Sequence, residues 1–388
     1  MRRLIGITPS KNVFREHERI SNLINTKQVT YFHIRKPDFT ESQMRDYLSK
    51  FDMAVRPYLS LHDYHHLALE MNIGGVHLNA RNPHIADNLK TKRLSASCHS
   101  IDEVTKCKNN IDYCFLSPIF DSISKCGYKS KFSLPELNQA FKENILDSKV
   151  VALGGVNYNN ISTLEKIGFS SFAMLGNLWN LPKIMFITHF NDKFDYLSGA
   201  LAVLEGGGKF IQLRMKDASD EQVLDIAKTL RKACDKYNAL LTVDDRIHLL
   251  DTNLFDGVHL GKNDMPIKEA KQITGDKFLL GATCNTVVDA IEAIKSGADY
   301  LGVGPFRFTT TKQKLSPELG LMGYKQIIDK LQNLNFNIPI YSIGGITKND
   351  FKDLKDVGVY GSALSGTILN SDNAIKETSD IIQTWDNV

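Results

Sequence analysis

Gly-Val-His-Leu occupies residues 75–78 and returns unchanged at 257–260. Outward from these two copies, other anchors recur in the same order. Arg35 pairs with Arg214 at an offset of 179, Asp63 with Asp245 and His77 with His259 at 182, Pro118 with Pro305 at 187, and Gly155 with Gly345 at 190. A slowly growing offset with order preserved is what a duplicated domain with small loop insertions produces.

Short apolar runs rich in β-branched residues alternate with amphipathic stretches of helical length. The first half carries LIGIT (4–8), VTYFHIR (29–35), YLSLHD (58–63), GVHL (75–78), RLSASC (93–98), YCFLSPIF (113–120), VVALGGV (150–156) and SSFAML (170–175). The second carries IMFIT (184–188), KFIQLRM (209–215), LLTVDD (240–245), GVHL (257–260), FLLGATC (278–284), YLGVGPF (300–306), IPIYSIGGI (338–346) and GVYGSAL (358–364). Eight strand-like runs per half, each usually followed by a helical stretch, predict an α/β fold with parallel sheets. The expected architecture is two tandem (β/α)8 TIM barrels, residues 1–180 and 184–388, each compact because a half sits at or below the ~200-residue lower end for that fold. A doubly wound open sheet permits the same alternation. The join falls near Asn180–Lys183, with no Gly/Ser-rich linker.

The 388 residues are 42% apolar and 23% charged, and 47 Lys and Arg face 44 Asp and Glu for a formal charge of +3. This balance supplies no bulk field toward nucleic acid or membrane. Six cysteines without a Cys-x-x-Cys pair argue against a disulfide scaffold or structural zinc. The opening MRRLIGITPSK does not read as a signal peptide, and no run approaches the ~20 apolar residues of a membrane span. The expectation is a cytoplasmic protein acting on small molecules, with no nucleic-acid or membrane partner. A homo-oligomer stays open.

In barrel enzymes chemistry sits at the carboxyl ends of the strands. Gln212-Leu213-Arg214-Met215-Lys216 places three polar side chains on one face if the strand alternation runs through it. Buried cations there require an anion, or else carboxylates in a plain ion pair. Asp244 and Asp245 end the next run and Asp264 follows GVHL. Each could cap a helix, whereas together they suggest Mg2+ bridging a polyphosphate. Thr309, Thr310, Thr311 and Lys312 after the sixth run, and the glycine pair at Gly345, offer phosphate donors or simply a turn. His259 and His77 read as core histidines.

QLRMKD, VDD, GVHLGKND, GATCNT, GADYLGVGP, FTTTK, IYSIGGIT and GSALSGT, in that order over residues 184–370, resemble thiamine phosphate synthase. The resemblance implies a Mg2+-dependent transferase that joins hydroxymethylpyrimidine diphosphate to thiazole phosphate and releases pyrophosphate. By motif position, Gln212, Leu213, Arg214, Met215 and Lys216 would bind the pyrimidine diphosphate with Asp244, Thr283 and Lys312. Asp245 and Asp264 would hold Mg2+. Thr309 to Thr311, Gly345, Ser365 and Gly366 would cradle the thiazole phosphate, and Arg214, Lys216 and Lys312 would oppose the charge of the leaving pyrophosphate. Three departures stand out: Asp244 where the family usually has Asn, Asn285 for a common His, and Gly366 for a Ser.

Laid on the second half, the first keeps Arg35, Asp63, Ser122, Ser124, Lys125 and Gly155 at phosphate- or metal-site positions. It has Pro37 for Lys216, Asn82 for Asp264 and His62 for Asp244. A second synthase is therefore not expected. HIRK (33–36), SCHS (97–100) and SPIFDSISKCG (117–127) resemble the thiazole tautomerase branch of the superfamily. The matched positions keep a phosphate site at Arg35, Ser122, Ser124, Lys125 and Gly155, and the tautomerase resemblance implies that His99 moves a proton between ring positions of the thiazole. A non-catalytic scaffold or ligand sensor is the alternative for this half.

Overall fold

The computed structural model describes residues 2–10, 12–13, 15–89, 92–120, 130–158, 160–275, 277–308 and 317–388. It divides into two compact units, Met1–Asn180 and Leu181–Val388. In the first unit β1 (Arg3–Ile7), β2 (Tyr31–Ile34), β3 (Leu59–Leu61), β4 (Gly75–Leu78), β5 (Arg93–Cys98), β6 (Tyr113–Leu116), β7 (Val150–Ala152) and β8 (Ser171–Met174) pair in parallel, and β8 returns to β1. In the second, β9 (Ile184–Ile187), β10 (Phe210–Leu213), β11 (Leu240–Asp244), β12 (Gly257–Leu260), β13 (Leu279–Cys284), β14 (Tyr300–Val303), β15 (Ile340–Ile343) and β16 (Gly361–Leu364) close through β16 on β9. Both units are TIM barrels, and closure excludes the open sheet.

The barrels are filled, not hollow. Ile5, Ile7, Tyr113, Phe115, Val151 and Ala173 pack inside the first, and Met185, Phe210, Leu240, Tyr300, Tyr341 and Ala363 inside the second. Helices start where the sequence supplies reciprocal caps: Thr40 with Gln43, Ser219 with Gln222, and Thr286 with Asp289. Gly154 and Gly344 end the seventh strands at φ 93° and 94°. A Cβ there would come within 2.7 Å of Pro118 and 2.8 Å of Pro305, so both barrels need glycine for this close approach.

Most strands stop earlier than the apolar runs that announce them. Their carboxyl-terminal residues leave the ladder and become the loops of the barrel mouth. Among the described residues, no helix is long and apolar enough to cross a membrane.

Candidate active site

In the second barrel, buried Thr188 pins the chain leaving β10. Its hydroxyl accepts the Arg214 N–H at 2.9 Å and donates to the Arg214 carbonyl at 3.2 Å. Gln212 and Arg214 then converge on Asp244: Gln212 Nε2 donates to Oδ1 at 2.5 Å, and Arg214 Nε lies 3.2 Å from Oδ2. The other amide atom, Gln212 Oε1, is buried without a partner among the described residues.

The alternation expected through residues 212–216 does not hold. β10 ends at Leu213, Met215 is buried, and Lys216 is exposed beyond it. The chain turns out of the ladder because Arg246 gathers the carbonyls of Met215 at 3.0 Å and Ala218 at 2.7 Å while pairing with Asp220. Leu213 and Met215 are both buried.

Asp245 and Asp264 are not helix caps. The helix Ile267–Thr274 is entered through Pro266 with no side-chain cap, and the turn after Asp245 has none either. Asp245 sits at φ 65° with its N–H on the His259 carbonyl at 2.9 Å. Asp264 Oδ2 accepts the Gly261 N–H at 2.6 Å. Burial pushes the Asp245 carboxyl up to about 7, helped by Asp244 and by its hydrogen bond with Asp264, while Lys216 pulls the other way. Burial also raises Asp244, opposed by Arg214, Gln212 and Lys216. Two hard-oxygen groups within hydrogen-bonding reach of each other form a donor set that fits Mg2+.

Thr283 Oγ1 lies 3.0 Å from His259 Nε2, and His259 Nδ1 is 3.3 Å from the Tyr300 hydroxyl. His259 is thus a satisfied core histidine that orients Thr283. Toward the other side of the mouth, Gly345 at φ 67° leaves no room for a Cβ, which would meet Arg307 Cγ at 2.4 Å. Arg307 holds the Gly345 carbonyl at 2.9 Å and forks onto Asp350. Ser365, ahead of the short helix Gly366–Leu369, has a buried Oγ without a partner among the described residues, an orphan that suits a ligand oxygen. Thr309, Thr310, Thr311 and Lys312 lie outside the described residues. Arg246 and Arg307 escaped the sequence reading because neither belongs to a spaced motif.

The first barrel repeats the scaffold and changes the chemistry. Thr8 pins Arg35 as Thr188 pins Arg214, at 2.8 and 3.3 Å. Arg35 has no carboxylate partner among the described residues, because His62 stands where Asp244 would be. His33 replaces Gln212, and its Nδ1 lies 2.9 Å from His62 Nε2. Asp63 is forked by Arg81 at 3.1 and 3.0 Å and receives Asn82 Nδ2 at 2.9 Å. His77 keeps both nitrogens on serines, Ser95 at 2.9 Å and Ser97 at 2.8 Å.

His33, His62 and His77 bring their nitrogens within 4.8 Å of one another. Burial holds His33 and His62 well below the usual histidine range, and Arg93 for the first, Arg35 and Arg81 for the second, add to it. Those guanidinium groups disfavour a metal cation at the cluster. His99 is exposed just past β5, with Nδ1 3.0 Å from the Ser117 carbonyl. Asn285, its counterpart, donates to the Gly304 carbonyl in the second barrel. Gly155, at φ 64°, offers its carbonyl to Asn160 Nδ2 at 2.9 Å. Ser122, Ser124 and Lys125 lie outside the described residues.

Fold and sites together define a tandem TIM-barrel protein with an arginine at each barrel mouth, Arg35 and Arg214, and a carboxylate pair at one of them whose chemistry suits a metal. The sequence model of the family described as thiamine monophosphate synthase matches residues 4–178 and again 184–368, and the chain belongs to that family. Its relatives include the thiamine-phosphate synthases of Bacteroides thetaiotaomicron, 48% identical over 52% of this chain and 97% of the relative, and of Phocaeicola vulgatus, 47% identical over 52% and 96%. Among solved structures, a thiamine phosphate pyrophosphorylase from Pyrococcus furiosus is 33% identical, covers 53% of this chain and 96% of its own, and superposes with a TM-score of 0.47.

Proposed function

We propose that the second barrel joins hydroxymethylpyrimidine diphosphate to thiazole phosphate, forming thiamine phosphate and releasing pyrophosphate, and that the first barrel is a thiazole phosphate tautomerase. The observation that carries the synthase reading is the pair Asp245 and Asp264 next to Asp244, with Arg214 on Asp244 and Lys216 in electrostatic reach of Asp244 and Asp245, in a chain whose family and relatives bear that name. Asp245 and Asp264 would hold Mg2+, which supplies charge neutralisation to the diphosphate. Arg214 and Lys216, with Lys312, oppose the charge that grows on the departing pyrophosphate. Gln212 orients the pyrimidine, and Ser365 with the Gly345 turn receives the thiazole phosphate. No side-chain nucleophile is needed, so the catalysis is positioning and electrostatics.

In the first barrel Arg35 and Gly155 would anchor the phosphate end of a thiazole. His99 has the required proton-transfer chemistry: its Nδ1 faces a carbonyl, which only accepts, so Nε2 is left as the base. The test supplies the full chain with Mg2+, pyrimidine diphosphate and either the non-aromatic thiazole phosphate tautomer or the aromatic isomer. Loss of product from the non-aromatic substrate alone in His99→Ala supports two activities in one chain. Equal rates on both substrates would leave the first barrel a scaffold or sensor, and no product from either would remove the synthase reading.

A further inference from the structure

Cys98, Cys107 and Cys114 stand nine and seven residues apart, so no pair motif announces them. The fold brings them together. Cys98 ends β5, Cys107 ends the helix Ile101–Cys107 that follows, and Cys114 lies in β6, which pairs with β5. Their sulfurs all lie within 4.8 Å of one another, with Cys98 Sγ 3.3 Å from Cys107 Sγ. None is in a disulfide. Cys98 and Cys114 are buried, whereas Cys107 is half-buried and leaves an approach from solvent. Both strand cysteines face the apolar layer under the helices, with Val104, Leu116 and Leu137, while Tyr113 and Phe115 fill the barrel. The trio therefore stands apart from the barrel interior. The second barrel shows that the fold does not need these thiols. Cys284 matches Cys98, but Ala293 stands for Cys107 and Leu301 for Cys114. The register is the same, since Ala96 pairs with Cys114 as Ala282 pairs with Leu301. Alanine and leucine are buried there and meet the packing by themselves.

We propose that Cys98, Cys107 and Cys114 form a three-sulfur site for a soft monovalent metal ion of the Cu(I) type. At a metal–sulfur bond of roughly 2.3 Å, three sulfurs in a plane around one ion stand about 4 Å apart. The observed separations run from 3.3 Å for one pair to no more than 4.8 Å, so small side-chain shifts complete the site. Sulfur ligands select soft ions over hard ones. Structural Zn2+ takes four ligands, and no fourth Asp, Glu, His or Cys joins the trio among the described residues. A disulfide would use two of the thiols and leave the convergence of the third without a reason. Binding releases the thiol protons that the ion replaces. The ion then ties β5, the helix and β6 together beside His99, whose Nδ1 rests on the Ser117 carbonyl just past β6. This role is independent of either proposed activity.

Two measurements on the reduced full-length chain, kept free of oxygen, decide it. Cu(I) is supplied as its acetonitrile complex in competition with a chromogenic chelator, and one ion per chain should be retained. X-ray absorption of that wild-type complex should count three sulfur neighbours, a reading that depends on no variant. Cys107→Ala places at this corner the residue that the second barrel already accommodates there. It should weaken retention by about 100-fold or more, since losing even a residue that supports a ligand costs roughly 10–100-fold. Cys284→Ser, in the other barrel, should leave retention unchanged. A chain that retains no Cu(I), a sulfur count other than three, or equal retention by Cys107→Ala would overturn the site and leave the three cysteines as core packing.

Discussion

Arg81 lies across Asp63 with Nε on one carboxylate oxygen and Nη2 on the other, at 3.1 and 3.0 Å, where the matching residue of the second barrel, Asp245, has a second aspartate for a neighbour. In the first barrel a guanidinium of the chain itself lies against this aspartate. A bidentate guanidinium satisfies the carboxylate geometrically as well as electrically.

Metal stoichiometry follows from that exchange. Mn2+ titration of the full chain, read by electron paramagnetic resonance, should give a single site per chain. Asp264→Ala should remove it. The double change Arg81→Ala with Asn82→Asp should create a second site in the first barrel, and a failure to gain one would mean that more than the fork excludes the ion.

Asp264→Ala should also reduce metal-dependent coupling by about 100-fold or more, the scale on which electrostatic stabilisation is lost. The fold should persist, because the side chain contributes one turn hydrogen bond to Gly261, about 1 kcal/mol. Normal turnover at low Mg2+ would refute the metal assignment.

Arg35→Ala should raise the KM for isomerisation by about tenfold or more, since it removes a charged hydrogen-bond donor worth roughly 1.5–3 kcal/mol. Coupling of the aromatic thiazole phosphate should be untouched. An unchanged KM would rule out Arg35 as the anchor.

Acid should weaken the first barrel first. His77 is held down at about 3 by burial, and His33 and His62 are held well below the usual range. Their unfolded forms take up protons near 6.5, the folded forms only at lower pH, so stability is full above about 6.5 and falls as pH drops toward 3. Each contributes up to about 1.4 kcal/mol per pH unit in that window. Calorimetry from pH 7 to 4.5 should show one transition moving down well ahead of the other. His77→Gln should flatten that dependence, and parallel shifts of both transitions would contradict it.

The repeat was legible because strand runs and strand-end residues keep their order while loops absorb the drift. Closure was legible only as a count, since an open sheet uses the same alternation. Candidate site residues close to a strand end, such as Gln212, Asp244 and Asp245, could be located by motif, and the structure brings Gln212 and Asp244 together. Arg246 and Arg307 could not, because their role is to gather carbonyls from loops that the sequence does not place. The alternation expected to carry Lys216 on one face with Gln212 and Arg214 failed for the same reason: it persists only while the ladder does, and β10 stops at Leu213. The His33–His62 pair was hidden by a different cause. His62 was noted as a loss of Asp244, and the companion change at His33 gains meaning only when the two rings are seen 2.9 Å apart.

Strand pairing is confined within each half, β8 returning to β1 and β16 to β9. Each ring is therefore a separate unit of inheritance: a lesion in one leaves the hydrogen-bond ladder of the other whole. Their single chain nonetheless fixes the ratio of the two at one copy to one, at every level of expression. Selection can retune or silence one mouth without touching the dosage of its neighbour, and the unequal fates of Asp63 and Asp245 record that freedom.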